Sequence, residues 1–238
     1  MTIQFANIQW QETINCKDTP YSIDFNDIYF STDDGLQETE YVFIQHNQLK
    51  QRFTLLESSH FTIIETGFGT GLSFLAVAAH WLALAPPSAQ LHYIGIEKYP
   101  LKLADLIRAQ NSWPQFLPIA NQLAQYYAQL QAKNNIFHLA EGRIQLSLQV
   151  DDVLSVLPQI SQIADAWLLD GFAPAKNAEM WSDALFLHIA RLSKRNTTFA
   201  TFTSAGAVRR GLQSVGFSVQ KHAGFGKKRE MLSGVFIK

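Results

Sequence analysis

Cysteine is almost missing from this chain: among 238 residues there is one, Cys16. A lone thiol excludes an internal disulfide and fits a reducing compartment. Nothing around Cys16 marks it as a nucleophile, so its expected role is structural. No run of 18 or more apolar residues occurs, and the N-terminus has no basic stretch leading into an apolar one. Both absences argue against a membrane-spanning helix and against export, so a cytoplasmic protein is expected. The seven histidines show no ligand-like clustering, and no metal site is expected. Repeats and low-complexity tracts are missing too, and Pro86-Pro87-Ser88 reads as a loop rather than a linker. Acidic residues are scarce in one place only. Residues 1–190 carry 9 Lys/Arg against 19 Asp/Glu, whereas residues 191–238 carry 10 Lys/Arg and, on the acidic side, Glu230. Such a basic end either meets a polyanion, gaining affinity from counterion release, or is ordinary solvated surface.

What is present is 47% apolar and 16% charged, enough for one α/β domain with a substantial core. The strongest local signal is residues 61–71. A β-branched and aromatic run from Phe61 to Ile64 reads as a buried parallel strand. It ends at Glu65 and enters a turn with Gly67, Gly69 and Gly71 at alternate positions, followed by an apolar helix, Leu72 to Ala85. Strand, glycine turn and helix form the opening unit of a nucleotide-binding sheet, where a ligand lies against bare backbone. The dinucleotide fingerprint is not met, because its third small residue would fall on Leu72 or Phe74. The pattern Glu65-x-Gly67-x-Gly69-x-Gly71, with Phe68 inside it, instead resembles the first motif of class I S-adenosylmethionine-dependent methyltransferases.

Residues 1–58 precede this unit as an expected extension, a lid or buttress on the main domain of residues 59–238. Phe5–Trp10 and Tyr21–Phe30 fit a β-hairpin, and apolar spacing predicts one helix over Leu36–Leu56. Further strands are expected at Gln90–Glu97, Ala166–Leu169, Thr197–Thr203, Phe217–His222 and Met231–Ile237. Asn135–Val150 is either a strand or a short hairpin. Helices fall between, with breaks at Trp113-Pro114 and Pro118 and a helix over Ile119–Gln131. Within it Tyr126-Tyr127 serves either packing or base stacking. This alternation implies an α/β fold with a doubly wound, mostly parallel, Rossmann-like sheet and an antiparallel last strand.

Ligands of open α/β sheets bind beyond the carboxyl ends of the strands, and four acidic positions lie there. Glu97 suits the ribose hydroxyls of a nucleoside. Asp152 or Asp151 suits the adenine amino group, with helix capping as the plain alternative for Asp152. Glu65 would either approach the methionyl ammonium or orient the glycine turn. Asp170 lies where the transferable methyl and its acceptor would meet. After it, the loop Gly171-Phe172-Ala173-Pro174-Ala175-Lys176-Asn177 resembles the acceptor loop of amine-methylating enzymes. A carboxylate there attracts an ammonium, with its pKa of about 10, and holds it while the proton is lost.

Four segments together resemble one family. They are the glycine turn, Leu168–Asn177 with Met180-Trp181, Thr203-Ser204-Ala205-Gly206-Ala207-Val208-Arg209-Arg210, and Gly224-Phe225-Gly226-Lys227-Lys228-Arg229-Glu230-Met231. Asp27-Ile28-Tyr29-Phe30-Ser31 and Glu40-Tyr41-Val42-Phe43 fit as well. The family is that of the bifunctional enzymes that complete 5-methylaminomethyl-2-thiouridine at the tRNA wobble position, and the resemblance is to their methyltransferase part. It implies S-adenosylmethionine as cofactor and the primary amine of 5-aminomethyl-uridine in the tRNA anticodon loop as acceptor. Asp170 would handle the amine, Phe172, Pro174, Lys176 and Asn177 would border it, and Lys227, Lys228 and Arg229 would lie at the acceptor entrance. The usual member continues into a flavin-dependent oxidoreductase part, for which the sequence up to Lys238 has no second nucleotide motif. The chain is therefore expected to be either a stand-alone form or an excised domain. A polyamine aminopropyltransferase shares the expected fold but would favour an acidic entrance, and a non-catalytic cofactor- or RNA-binding module would not require the acceptor loop.

Overall fold

In the computed structural model, which describes residues 2–13 and 16–238, the chain opens with β1 (Ile8–Thr13) and β2 (Cys16–Ser22). These pair antiparallel, and the two-residue β3 (Asp27–Ile28) adds a third strand. The hairpin turn expected at Asn15 and the side chain of Cys16 lie outside the described residues. The hairpin itself is present, but its second strand falls earlier than the aromatic run at Tyr21–Phe30. That run is broken by Asn26, whose φ is 52°. Its rings pack instead, Phe30 edge-on to Trp113 at 4.9 Å and Phe25 stacked on Phe172 at 4.6 Å.

The expected helix over Leu36–Leu56 is three pieces. Helix α1 (Gly35–Thr39) is capped by Asp34, which accepts the Gln37 N–H. A π-helical turn follows at Glu40–Gln45, and α2 (Leu49–Thr54) starts only after Gln48 at φ 55°. The break lies at Asn47, which is fully buried and donates to the carbonyls of Phe43 and Trp167. A buried amide that needs two carbonyls favours the irregular turn, and apolar spacing carries no sign of it.

The main sheet is built from β4 (His60–Glu65), β5 (Gln90–Ile96), β6 (Lys133–Leu139), β7 (Ile144–Val150), β8 (Ala164–Leu168), β9 (Ser193–Thr201), β10 (Phe217–Ala223) and β11 (Glu230–Phe236). Their order across the sheet is β10-β11-β9-β8-β4-β5-β7-β6. The central pairs β5–β7, β4–β5, β4–β8 and β8–β9 are parallel, while β6, β10 and β11 enter antiparallel. The α/β architecture and the final antiparallel hairpin thus match the sequence reading, and Asn135–Val150 resolves as the hairpin β6–β7.

Helices α3 (Leu72–Leu84), α4 (Leu103–Gln110) and α5 (Leu117–Tyr127) cover one face; α6 (Val153–Val156), α7 (Asp183–Arg191) and α8 (Gly206–Val215) cover the other. Pro118 does not break α5. It occupies the first turn, where its missing N–H costs no hydrogen bond. The first core cluster joins Val42, Phe43 and Phe53 of the N-terminal segment to Phe74, Trp81 and Leu146; the second centres on Trp167, Phe186 and Phe199. The chain runs from β4 outward in both directions, so the carboxyl ends of β4, β5 and β8 flank the switch point of the sheet.

Candidate active site

The turn after β4 is held against both neighbouring strands. Thr66 donates its N–H to the Leu168 carbonyl at 3.1 Å and its hydroxyl to the Asp170 carbonyl at 2.7 Å. A Cβ on Gly67 would lie 2.8 Å from the Gly171 Cα, so only glycine lets the two loops cross. On the other side, the Phe68 N–H donates to the Ile96 carbonyl, and the Phe68 ring fills the space above Gly95. Phe68 is buried, so its part is to prop the turn from below as much as to face a ligand. Gly71, at φ 73°, begins α3 with no side chain between its N-terminus and the turn.

The five carboxylates have different surroundings. Glu97 receives the Gly69 N–H at 2.8 Å on one oxygen and the Tyr99 N–H at 3.0 Å on the other. Burial pushes its pKa up, and these N–H groups pull it back. Asp170 also sits above the usual carboxylate range, at about 7. Burial is the main cause, opposed by the Gly171 N–H, with the charges of Glu38 and Glu97 raising it and that of Lys228 lowering it. Glu65 is buried under the turn rather than on the cavity wall, and accepts from the Tyr93 hydroxyl at 2.8 Å. Burial and the nearby Asp170 hold its pKa well above normal. Asp152 caps α6 through the Leu154 N–H and pairs with Lys98 at 3.0 Å. Asp151 lies beside it on the cavity wall and accepts the Asp152 N–H.

The loop after Asp170 is fastened by residues that local motif reading missed. Phe172 sits between Phe25 and Tyr29, with ring centres 4.6 and 5.2 Å away. Its carbonyl accepts the Trp181 indole N–H. Lys176 pairs with Asp27 at 3.1 Å, and the other oxygen of Asp27 accepts the Ala173 N–H. Asn177 lines the cavity beside Met180, and Pro174 lies outside it. Of these partners, Asp27 and Tyr29 lie in the Asp27–Ser31 run that carries part of the family resemblance. At the mouth, the β10–β11 loop meets the N-terminal segment, where the Tyr41 hydroxyl donates to the Ala223 carbonyl at 2.9 Å. Lys227, Lys228 and Arg229 are all exposed there, and Lys228 alone of the three pairs with Glu38, at 2.6 Å.

These elements enclose a cavity of about 450 Å³, bounded by the glycine turn, Glu97, Asp151, Asp152, Asp170 and the Phe172 loop. Ligand pockets typically occupy roughly 300–1,000 Å³. Bare backbone at Gly67 and Gly69 and three groups of acidic acceptors fit a nucleoside joined to an amino acid. No group of His, Cys, Asp or Glu among the described residues is arranged to hold a metal, and no described helix is long and apolar enough to cross a membrane.

The site and fold define a class. The family model for S-adenosyl-L-methionine-dependent methyltransferases matches residues 114–236, and the chain belongs to that family, with S-adenosylmethionine as its cofactor. Over 231 residues, 97% of the chain, it is 50% identical to the tRNA 5-methylaminomethyl-2-thiouridine biosynthesis bifunctional protein MnmC of Methylobacillus flagellatus. The protein of the same name from Chromobacterium violaceum is 49% identical over 98% of the chain. The chain spans about a third of these relatives, 35% of each. Its fold is similar to the crystal structure of MNMC2 from Aquifex aeolicus. The TM-score is 0.77 at 19% identity, covering 96% of this chain and 70% of that one.

Proposed function

We propose that this chain transfers the methyl of S-adenosylmethionine to the primary amine of 5-aminomethyl-(2-thio)uridine at the wobble position of tRNA, giving 5-methylaminomethyl-(2-thio)uridine. The observation that carries this reading is near-half identity over almost the whole chain to proteins named for that modification. On this reading the protein acts in the cytoplasm with its tRNA, and a flavin-dependent oxidoreductase acting before it, on the same or another polypeptide, supplies the amine.

The backbone of Gly67, Gly69 and Gly71 would cradle the cofactor over Phe68. Glu97 would take the ribose hydroxyls, and Asp151 or Asp152 the adenine edge. Glu65, locked beneath the turn by Tyr93, would orient it. Bound there, S-adenosylmethionine supplies an electrophilic methyl for in-line displacement by a nitrogen lone pair. The chain's task is alignment and proton handling. Asp170, with a pKa of about 7, is ionised in about half the molecules at neutral pH and in most at mildly alkaline pH. It can take the proton that the acceptor ammonium must lose before its nitrogen attacks the methyl and S-adenosylhomocysteine leaves. Phe172, Lys176 and Asn177 would border the uridine, with Pro174 outside the cavity shaping the loop, and the loop carrying Lys227, Lys228 and Arg229 would face the anticodon stem-loop, with Lys227 and Arg229 on phosphates.

The test is to incubate the protein with methyl-labelled S-adenosylmethionine and tRNA from cells lacking this methylation, then digest the tRNA and identify its nucleosides by mass. Label in 5-methylaminomethyl-type uridine supports the reading. Absence of label, with cofactor binding and amine-bearing tRNA both verified, removes it.

A further inference from the structure

Three consecutive cations, Lys227, Lys228 and Arg229, have different fates, and Lys228 stands apart. Its ammonium lies 2.6 Å from a carboxylate oxygen of Glu38 on α1 and 4.5 Å from the centre of the Phe202 ring. The Glu38 side chain is only 12% exposed. Lys228 itself is 45% exposed, so the ion pair is open to solvent on the lysine side and closed on the carboxylate side. In the neighbouring pair Lys221–Glu230 both side chains are open, at 41% and 44%. A largely buried carboxylate beside an aromatic face is a setting that binds ammonium groups in general, by charge-assisted hydrogen bonding and by the ring quadrupole.

Glu38, Lys228 and Phe202 are not themselves on the cavity wall, but Thr39, which follows Glu38, lines the cavity together with Asp170 and Phe172. Phe202 follows β9 and meets Trp181 edge-on at 6.3 Å, and Trp181 holds the Phe172 carbonyl of the acceptor loop. Asp170 senses both members of the pair, Glu38 raising its proton affinity and Lys228 lowering it. Glu97 and the buried Glu65 are the other charged groups acting on this position. Acidic groups on α1, on β4 and directly after β5 thus act on Asp170, and the compensating cation from the β10–β11 loop is a primary ammonium, the same functional group as an aminomethyl substituent.

Building on the amine-acceptor reading above, we infer that Glu38 and Phe202 form the outer half of a primary-ammonium subsite whose inner half is Asp170. Lys228 fills it as an internal stand-in that the acceptor's aminomethyl group displaces. Glu38 is then a substrate-recognition residue, and Lys228 competes with substrate instead of contributing to its affinity.

The experiment compares steady-state methylation of aminomethyl-bearing tRNA by the wild-type protein, Glu38→Gln and Lys228→Met, with S-adenosylmethionine binding measured by calorimetry. Losing a charged acceptor from the subsite, Glu38→Gln should raise the KM for tRNA about tenfold and leave cofactor affinity unchanged. Removing the competitor, Lys228→Met should lower that KM about threefold, and methylammonium chloride should inhibit Lys228→Met more strongly than wild type. A KM that rises in Lys228→Met, or stays unchanged in Glu38→Gln, overturns the subsite while leaving the methyltransferase reading intact. No methylation by the wild-type protein overturns both. Should Glu38→Gln fail to bind cofactor, the direction of the KM change in Lys228→Met and its response to methylammonium decide in the same way.

Discussion

One carboxylate oxygen of Asp27 lies 3.1 Å from the Lys176 ammonium while its other oxygen accepts the Ala173 N–H at 3.2 Å. A single residue of the N-terminal sheet thereby holds two points of the loop that follows Asp170. Removing that side chain frees the loop without touching the glycine turn. Asp27→Ala is expected to lower kcat/KM for the acceptor about tenfold through loss of the charge-assisted bonds. Its affinity for S-adenosylmethionine should stay near wild type. Steady-state kinetics and calorimetry check this, and equal loss of cofactor affinity would mean that Asp27 supports the whole site.

Asp170→Asn should keep cofactor binding and cut methyl transfer by at least about tenfold, because an amide neither attracts the ammonium nor takes its proton. In the wild-type protein kcat/KM should fall as pH drops below about 7 and Asp170 becomes protonated. Unchanged turnover in Asp170→Asn would remove this residue from the mechanism.

The same carboxyl should register in stability. Its pKa is about 7 in the folded protein against an ordinary 3.8, so the native state holds a proton that the unfolded chain has released. Stability from this group is therefore full at low pH and is lost as pH rises through about 7. Glu65 and Glu97 are raised too and add slopes of the same sign. Thermal unfolding of the cofactor-free protein between mildly acidic and neutral pH should show the decline, and Asp170→Asn should flatten it in part. A slope that Asp170→Asn leaves untouched would contradict the raised value.

Two glycines separate contact from conformation. Gly67→Ala forces a Cβ to within 2.8 Å of backbone, which cannot rotate away. It should destabilise by about 1–3 kcal/mol and lose cofactor binding. Gly142→Ala meets nothing within 4 Å and is strained only by its φ of 85°. It should cost about 1–2 kcal/mol and leave binding unchanged. Unfolding curves and cofactor titration of both variants test the pair, and intact binding in Gly67→Ala would show that the crossing with Gly171 has slack.

Lys227→Ala with Arg229→Ala should weaken tRNA binding and reduce the slope of log Kd against log salt by about 1–2. Binding assays across a salt series decide it. An unchanged slope would make both residues solvated surface.

What the sequence made legible is what lies close along the chain. Asp170 and its loop, the glycine turn and the strand-end Glu97 each sit within a few residues of the backbone feature that positions them. Asp27, Phe25 and Glu38 were not readable as site residues, because their partners Lys176, Phe172 and Lys228 are 149, 147 and 190 positions away. Lys227, Lys228 and Arg229 look equivalent as a basic run, and only the placement of α1 separates the middle one. The break at Asn47 escaped for a related reason: the second carbonyl it satisfies belongs to Trp167 on a distant strand. Glu65 was readable as a member of the turn motif, but whether it faces the cavity or the core depends on Tyr93 of the neighbouring strand.

The bond from Tyr41 to the Ala223 carbonyl spans 182 positions. On a ribosome adding roughly 5–20 residues each second, the carbonyl that Tyr41 will bond is made about 10–40 s after Tyr41 itself. The central strands can pair in that interval, since β4, β5, β7 and β8 all precede it in the chain. The glycine turn can therefore assemble while the polypeptide is still growing. The mouth where tRNA would enter is joined from both ends of the described chain, and it cannot be completed until Ala223 has been made.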